Sequence, residues 1–169
     1  MFLGEGALCV SRRDVNELPD ATLIPLFLKK LNRRVRRCKF ADMAKAYCAV
    51  AIDISEGLIA VLGHILKASE FGARIYYDLL PRSKVFHKSA AYLHELDYKK
   101  MLLAGGDDYE LCMVVPADNE SDLIELAESM GLLLTQIGEI DTSGKLSVIN
   151  TEGDLIELDN SGYEHFSNE

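Results

Sequence analysis

The chain has 169 residues and a formal net charge of −9, with 49% hydrophobic and 27% charged residues. These values are ordinary for globular proteins, and they exclude a disordered tail, a collagen-like fibre and a coiled-coil rod. No apolar run approaches the roughly 20 residues of a membrane-spanning helix, so we expect no membrane span.

The first part of the chain is predicted to be helical after an irregular start. Residues 1–20 have no clear period and end in the turn signal Pro19-Asp20, which is typical of a linker or the remnant of a preceding domain. Apolar residues at helical spacing predict a helix over 21–37, and a second helix is predicted over 41–49.

The spacing of the apolar residues changes after residue 48, which predicts a strand followed by a helix. Residues 48–54 are small and β-branched, which predicts a buried strand. Helical spacing then predicts a helix over 56–69, with Ser55 as its N-cap and Gly72 as its terminating glycine.

The rest of the chain alternates between the two kinds of element. Strands are predicted at 73–80, 109–116 and 133–140, helices at 83–97, 98–103 and 118–130, and a hairpin joining 145–150 to 155–158. Because the last strands come as hairpins, the fold class that we predict is α+β, a mixed β-sheet with helices packed on it.

The cysteine and charge patterns indicate the cellular compartment and the kinds of partner to expect. The four cysteines fit no metal or redox spacing, and Met1 leads into residues 2–5 without the basic start of a signal peptide, so we expect free thiols and a cytoplasmic location. The arginines of residues 33–37 could form a nucleic-acid patch. The strongly acidic remainder and the lack of interleaved aromatic residues favour a solvated surface, so we expect no nucleic-acid partner.

The first group of residues that could carry chemistry is Asp53-Ile54-Ser55-Glu56-Gly57, at the junction of the predicted strand and helix. Asp53 and Ser55 share a strand face, and Glu56 follows at the helix start. Carboxylates and a hydroxyl suit Mg²⁺ with a substrate phosphate, and a helix N-terminus favours an anion. The alternative is a plain capped helix with an acidic first turn.

Two further groups could contribute to a site. Gly105-Gly106-Asp107-Asp108 is a tight turn that could hold a ligand or simply carry solvated acids. Glu110 interrupts an otherwise apolar strand, so we expect its side chain to face a pocket. In the tail, Gly162-Tyr163-Glu164-His165-Phe166 could stack an aromatic ring on a ligand or anchor the C-terminus in the core. His64, within an apolar helix, is interpreted as structural.

Taken in order, these motifs resemble one family. Residues 52–58, Leu62-Gly63-His64-Ile65-Leu66-Lys67-Ala68-Ser69, residues 105–111 and residues 162–166 resemble the C-terminal half of the thiamine-monophosphate kinases, within the aminoimidazole ribotide synthetase superfamily. The resemblance covers about residues 49–166 and implies that superfamily's C-terminal-domain fold over 21–169.

The resemblance also implies an activity and roles for particular residues. The family transfers the γ-phosphoryl group of ATP to thiamine monophosphate, using Mg²⁺. By resemblance, Asp53 and Glu56 are Mg²⁺ ligands, Ser55 contacts ATP, Asp107 contacts the thiamine phosphate and Tyr163 meets the substrate rings. The family usually has aspartate at the position of Glu56 and glutamate at that of Asp107.

The N-terminal half of the family, with its ATP and Mg²⁺ domain, has no counterpart in this sequence. We therefore expect the C-terminal half of a thiamine-monophosphate kinase that is inactive until an N-terminal-half chain is supplied. The alternative is a non-catalytic binding or self-association module derived from that enzyme, in which an exposed edge forms a homodimer.

Overall fold

The computed structural model describes residues 37–92, 94–106 and 110–156. Five α-helices and five β-strands lie in these ranges, joined in part by single 3₁₀ turns. In chain order they are α1 (Cys38–Ala44), β1 (Val50–Ile54), α2 (Leu58–Ser69), β2 (Gly72–Tyr76), α3 (Lys84–Ser89), α4 (Glu95–Ala104), β3 (Glu110–Val114), α5 (Glu120–Ser129), β4 (Gly138–Asp141) and β5 (Leu146–Ile149). The predicted helix over 21–37 lies almost wholly outside the described residues.

The strands form two small sheets. β1 and β3 pair antiparallel, with Ile54 opposite Glu110 and Val50 opposite Val114. The other sheet has the order β4-β2-β5, in which β2 runs antiparallel to β4 and parallel to β5. The predicted α+β class with a mixed sheet is therefore confirmed.

Helices cover both faces of β3 because its side chains alternate. Leu111 and Met113 pack with Phe40 of α1 and Leu123 of α5. Cys112, on the opposite face, belongs to the main core with residues of α2 and α4. This core also contains stacked rings of Phe86 and Tyr98, whose centroids are 4.7 Å apart. The domain is thus layered helix–sheet–helix around β3.

The burial predicted for β1 is wrong on one face. Ile54 is buried, but Val50, Ala51 and Asp53 are exposed. Ala51 and Asp53 are exposed because α1 and α5 cover β3 only, so the neighbouring face of β1 meets solvent in the described part of the chain. Val50 lies on the opposite face with Ile54 and is the first residue of the strand.

Both predicted caps of α2 are wrong. Gly57, with φ of +100°, occupies the N-cap position, and no side chain caps the helix there. At the other end Glu70 takes the left-handed conformation, while Gly72 starts β2 opposite Asp141. Strand pairing therefore has priority over the local capping signal at Gly72.

Other helices and strands begin or end at different residues from those that the spacing of apolar residues predicts, because tertiary packing decides their bounds. The stretch predicted as one helix over 83–97 is divided into α3 and the first turn of α4. The strand predicted over 133–140 begins only at Gly138, and β4 and β5 lie on either side of β2. Ile149 does bridge Leu155 across the predicted turn.

Helix length and the state of the cysteines can be stated for the described residues. None of their helices is long and apolar enough to cross a bilayer. Cys38, Cys48 and Cys112 are free thiols, as expected, and range from exposed to buried. Burial raises the pKa of the Cys112 thiol to about 11. Cys9 lies outside the described residues.

Candidate metal and phosphate site

The pairing of β1 with β3 brings two of the three motifs to one end of the ribbon. β1 ends at Ile54, opposite the first residue of β3, and the chain then turns through Ser55 and Glu56 into α2. α4 ends at Ala104, and Gly105 and Gly106 follow before the chain reaches β3. Motifs about 50 residues apart in sequence are therefore neighbours in space.

Two glycines allow these motifs to meet backbone to backbone. A Cβ built on Gly106 would lie 2.5 Å from the Ser55 carbonyl oxygen, and one built on Gly57 would lie 2.7 Å from that of Ala104. Real Cβ atoms do not approach so closely, so any side chain at either position forces the backbones apart. We call residues 53–57 with 104–106 the glycine junction.

The glycine junction presents oxygen donors to solvent. Asp53 and Glu56 are exposed, and Ser55 is half-buried. Asp53 has no hydrogen-bond or ion-pair partner among the described residues. An exposed carboxylate without a protein partner retains its full capacity to bind a cation.

The start of α2 adds backbone donors beside these acids. The first hydrogen bond of the helix runs from the Val61 amide to the Gly57 carbonyl, at 3.2 Å. The three preceding amides have no partner within the helix, no side chain caps them and the first turn contains no acidic residue. Such a helix start, in a helix of 12 residues, favours an anion such as a phosphate.

His64 is not a core residue, contrary to its structural interpretation. Its side chain is 70% exposed, and its Nε2 lies 3.9 Å from Glu56 Oε2. The distance is too long for a hydrogen bond, and exposure makes the contact weak.

Sequence reasoning placed Glu110 beside a pocket but missed its partner. The Glu110 side chain is only 8% exposed, and its Oε2 accepts from Arg37 Nε at 3.5 Å. In the sequence, Arg37 is the last residue of the arginine run 33–37, and its acidic partner is 73 residues away. No local sequence signal therefore indicates this pair. This pair holds the start of α1 against the first residue of β3.

Two predicted site residues, Asp107 and Tyr163, lie outside the described residues. Gly106 and Glu110 flank residues 107–109. Gly106 belongs to the glycine junction, and Glu110 pairs with Ile54 of that junction. For Tyr163 there is no such neighbour, because the described chain ends at Ile156.

The donor set fits a partial cation site. Nowhere in residues 37–92, 94–106 and 110–156 do three His, Cys, Asp or Glu side chains cluster closely enough to enclose a metal ion. Mg²⁺, however, commonly takes one or two carboxylates, with waters and substrate phosphates completing its octahedron. Asp53 and Glu56 are two such carboxylates, three residues apart at the turn from β1 into α2.

The fold and the junction define a class: an α+β domain with oxygen donors where a strand turns into a helix. A sequence comparison gives this class a family, since the pattern of the AIR synthase related protein, C-terminal domain, matches residues 6–150. The chain belongs to that family.

Particular relatives are thiamine-monophosphate kinases. That of Escherichia coli (strain K12) is 35% identical over 162 residues, which cover 95% of this chain and 48% of the relative. That of Salmonella typhimurium is 36% identical over 165 residues, with the same coverage. The chain therefore spans about half the length of the curated relatives it matches.

Solved structures agree with this. Thiamine-monophosphate kinase from Stenotrophomonas maltophilia aligns with a TM-score of 0.75 and 32% identity over 87% of this chain and 47% of that one. AaThiL complexed with AMPPCP and TMP aligns with a TM-score of 0.74 over 98% of this chain and 49% of that one. Its 22% identity supports the shared fold only.

Proposed function

We propose that this chain is the C-terminal half of a thiamine-monophosphate kinase, which transfers the γ-phosphoryl group of ATP to thiamine monophosphate. The P–O bond to the leaving ADP breaks, and a new P–O bond forms to the phosphate of thiamine monophosphate. The carrying observation is that the motifs shared with these kinases meet at the glycine junction, in a chain 35% identical to them over 95% of its length.

Each described member of the junction has a role in this proposal. Asp53 and Glu56 hold Mg²⁺, and Ser55 contacts the nucleotide. When bound, Mg²⁺ neutralises the charge that builds up on the transferring phosphoryl oxygens. The free amides at the start of α2 orient a phosphate beside these acids, and the rigid backbone contact keeps the groups in place.

The substrate contacts are assigned to residues outside the described part. Asp107 binds thiamine monophosphate near its phosphate, and Tyr163 stacks on its rings. The flanking residues of Asp107 support the first assignment, since Gly106 touches Ser55 and Glu110 pairs with Ile54. The cytoplasmic location and the division into residues 1–20 and 21–169 stay predictions.

The partial cation site supports the need for a second half. Phosphoryl transfer needs several charges neutralised together, and residues 37–92, 94–106 and 110–156 hold no group of three potential metal ligands. We therefore propose that an N-terminal half, as a separate chain or a linked domain, supplies the remaining ligands. The isolated chain is expected to show no turnover.

Calorimetric titration tests the proposed binding roles. Mg-ATP and thiamine monophosphate are titrated into the chain alone and into its equimolar mixture with the part of the Escherichia coli K12 relative that the match does not cover. Binding should be weak for the chain alone and strong for the mixture. Equal affinity in both cases contradicts the divided site.

A pair of aspartate variants provides the control. Asp53→Asn should weaken Mg-ATP binding to the mixture at least about tenfold, as loss of a metal-site carboxylate does. Asp118→Asn removes an exposed acid beyond the opposite end of β3 and should leave the affinity unchanged. Equal affinity of both variants contradicts the role of Asp53.

A non-catalytic self-association module is the second candidate. The observation that favours it is the exposed start of β1, where Val50 and Ala51 meet solvent on opposite faces of the strand. Sedimentation of the chain alone distinguishes the candidates, because this module forms a concentration-dependent homodimer and binds no nucleotide. The kinase half stays monomeric until its partner is added.

A further inference from the structure

In the part of the chain that the structure describes, the two sheets turn unpaired edges toward each other. Among the described residues β3 pairs only with β1, and β4 pairs only with β2. Between the free edge of β3 and residues 134–140 lies a gap. Gaps within a helix-covered sheet are costly, because unpaired backbone amides and carbonyls lose hydrogen bonds that strand pairing would supply.

The gap passes from one face of the sheet to the other. On the α5 side a cavity of about 210 Å³ is lined by Met113, Leu123 and Ile124. On the α2 side a cavity of about 390 Å³ is lined by Leu62 and Ile75. Both cavities share the same two walls. These walls are Cys112, Met113 and Val115 on one side and residues 136–138 on the other.

A gap with this shape fits one extended strand. The side chains of a strand alternate between faces, so one set would fill the cavity under α5 and the other the cavity over α2. The cavity on the α5 side has a mainly apolar lining, so the side chains that fill it should be apolar. The cavity on the α2 side is of mixed character, because Gln136 and Glu139 line it together with Leu62 and Ile75, so the opposite face of the strand should be of mixed character too. Its length should be four or five residues, to match β4 and β3.

We infer that this gap, which we call the strand slot, receives an extended strand, apolar on the side that faces α5, from the other half of the protein. The relatives provide that half, since this chain covers only 48% of the Escherichia coli K12 protein. The inserted strand would join the two sheets into one, in the order β1-β3-strand-β4-β2-β5. The inference rests on the proposed function and specifies how the partner half docks.

Hydrogen exchange measured by mass spectrometry tests the strand slot on the unmodified chain. The probe is the part of the Escherichia coli K12 relative that the match does not cover. In the chain alone, amides on the free edge of β3 and in residues 134–140 should exchange quickly. With the probe they should slow at least about tenfold, as amides do when they join a sheet ladder.

Two methionine variants separate docking in the slot from docking elsewhere. Met113→Arg puts a charge in the slot. Met43→Arg is the control, because Met43 lies in α1, is 51% exposed and does not line the slot. Met113→Arg should abolish the protection, and Met43→Arg should leave it intact. Circular dichroism checks that both variants are folded.

Each outcome decides the inference. Protection that appears only with the probe supports it. Protection already present in the dilute chain alone means that the chain fills its own slot, and protection that rises with chain concentration means that a second copy does. Either result overturns the inference, as does fast exchange in the mixture. Thiamine diphosphate formation is assayed separately, so protection without turnover refutes the kinase proposal and still supports the slot.

Discussion

β3 has one end that is closely fitted and one edge that is open. At its start, the glycine junction brings two backbones into contact, and Arg37 holds Glu110. Along its other edge, no strand among the described residues occupies the strand slot. The described residues alone form the frame of the polar site, whereas the open edge of β3 is where the inference above places a strand of the other half.

Among substitutions that test this contrast, the largest loss of stability is expected at Gly106. Gly106→Ala should lower the free energy of unfolding by about 2–3 kcal/mol, because its Cβ meets the Ser55 backbone. Gly63→Ala is the control, since nothing lies within 4 Å of its Cβ inside α2, and it should stabilise by about 0.5–1 kcal/mol. Urea unfolding measures both, and equal effects would contradict the close fit of the junction.

The Arg37–Glu110 pair is the next test of the closed end. Arg37→Ala leaves a buried carboxylate without its cation and should cost about 2 kcal/mol, less than a fully buried pair because Arg37 is 26% exposed. The same substitution in a Glu110→Gln background should cost much less. Additive effects of the two substitutions would show that the pair contributes nothing.

Cys112 tests whether the wall of the slot is dry. Its thiol has a pKa raised by burial from 9.0 to about 11, so the folded chain keeps the proton when the unfolded chain loses it. The associated stability is complete below pH 9 and declines as pH rises through 11, by at most about 1.4 kcal/mol per pH unit. Cys112→Ala should show a shallower decline in urea unfolding from pH 8 to 11. An unchanged decline would mean that the thiol is hydrated.

The smallest effect is expected at the exposed end of the site. Asp53→Asn should change the free energy of unfolding by less than about 0.5 kcal/mol, because Asp53 is exposed and has no described partner. A loss of stability comparable with that of Gly106→Ala would show that Asp53 stabilises the fold. Asp53 could then not be separated, as a ligand-binding residue, from the residues that hold the junction together.

Local sequence signals predicted much of the fold, and they failed where distant segments meet. The strand–turn–helix at residues 50–69 follows from the change of period, and Glu110 stood out as an acid in an apolar strand. The N-cap at Gly57 did not follow, because its cause is the backbone of Ala104, and neither did the Arg37 partner of Glu110. The slot could not be predicted either, since it depends on which strand edges stay unpaired.

The central claim is that this chain supplies one half of a divided kinase site. The most direct measurement is the rate of thiamine diphosphate formation from ATP and thiamine monophosphate, by the chain alone and by its equimolar mixture with the other half of the Escherichia coli K12 relative. The account predicts turnover in the mixture only, with its loss in Asp53→Asn. Turnover by the purified chain alone, or none in a mixture that binds both substrates, would contradict it.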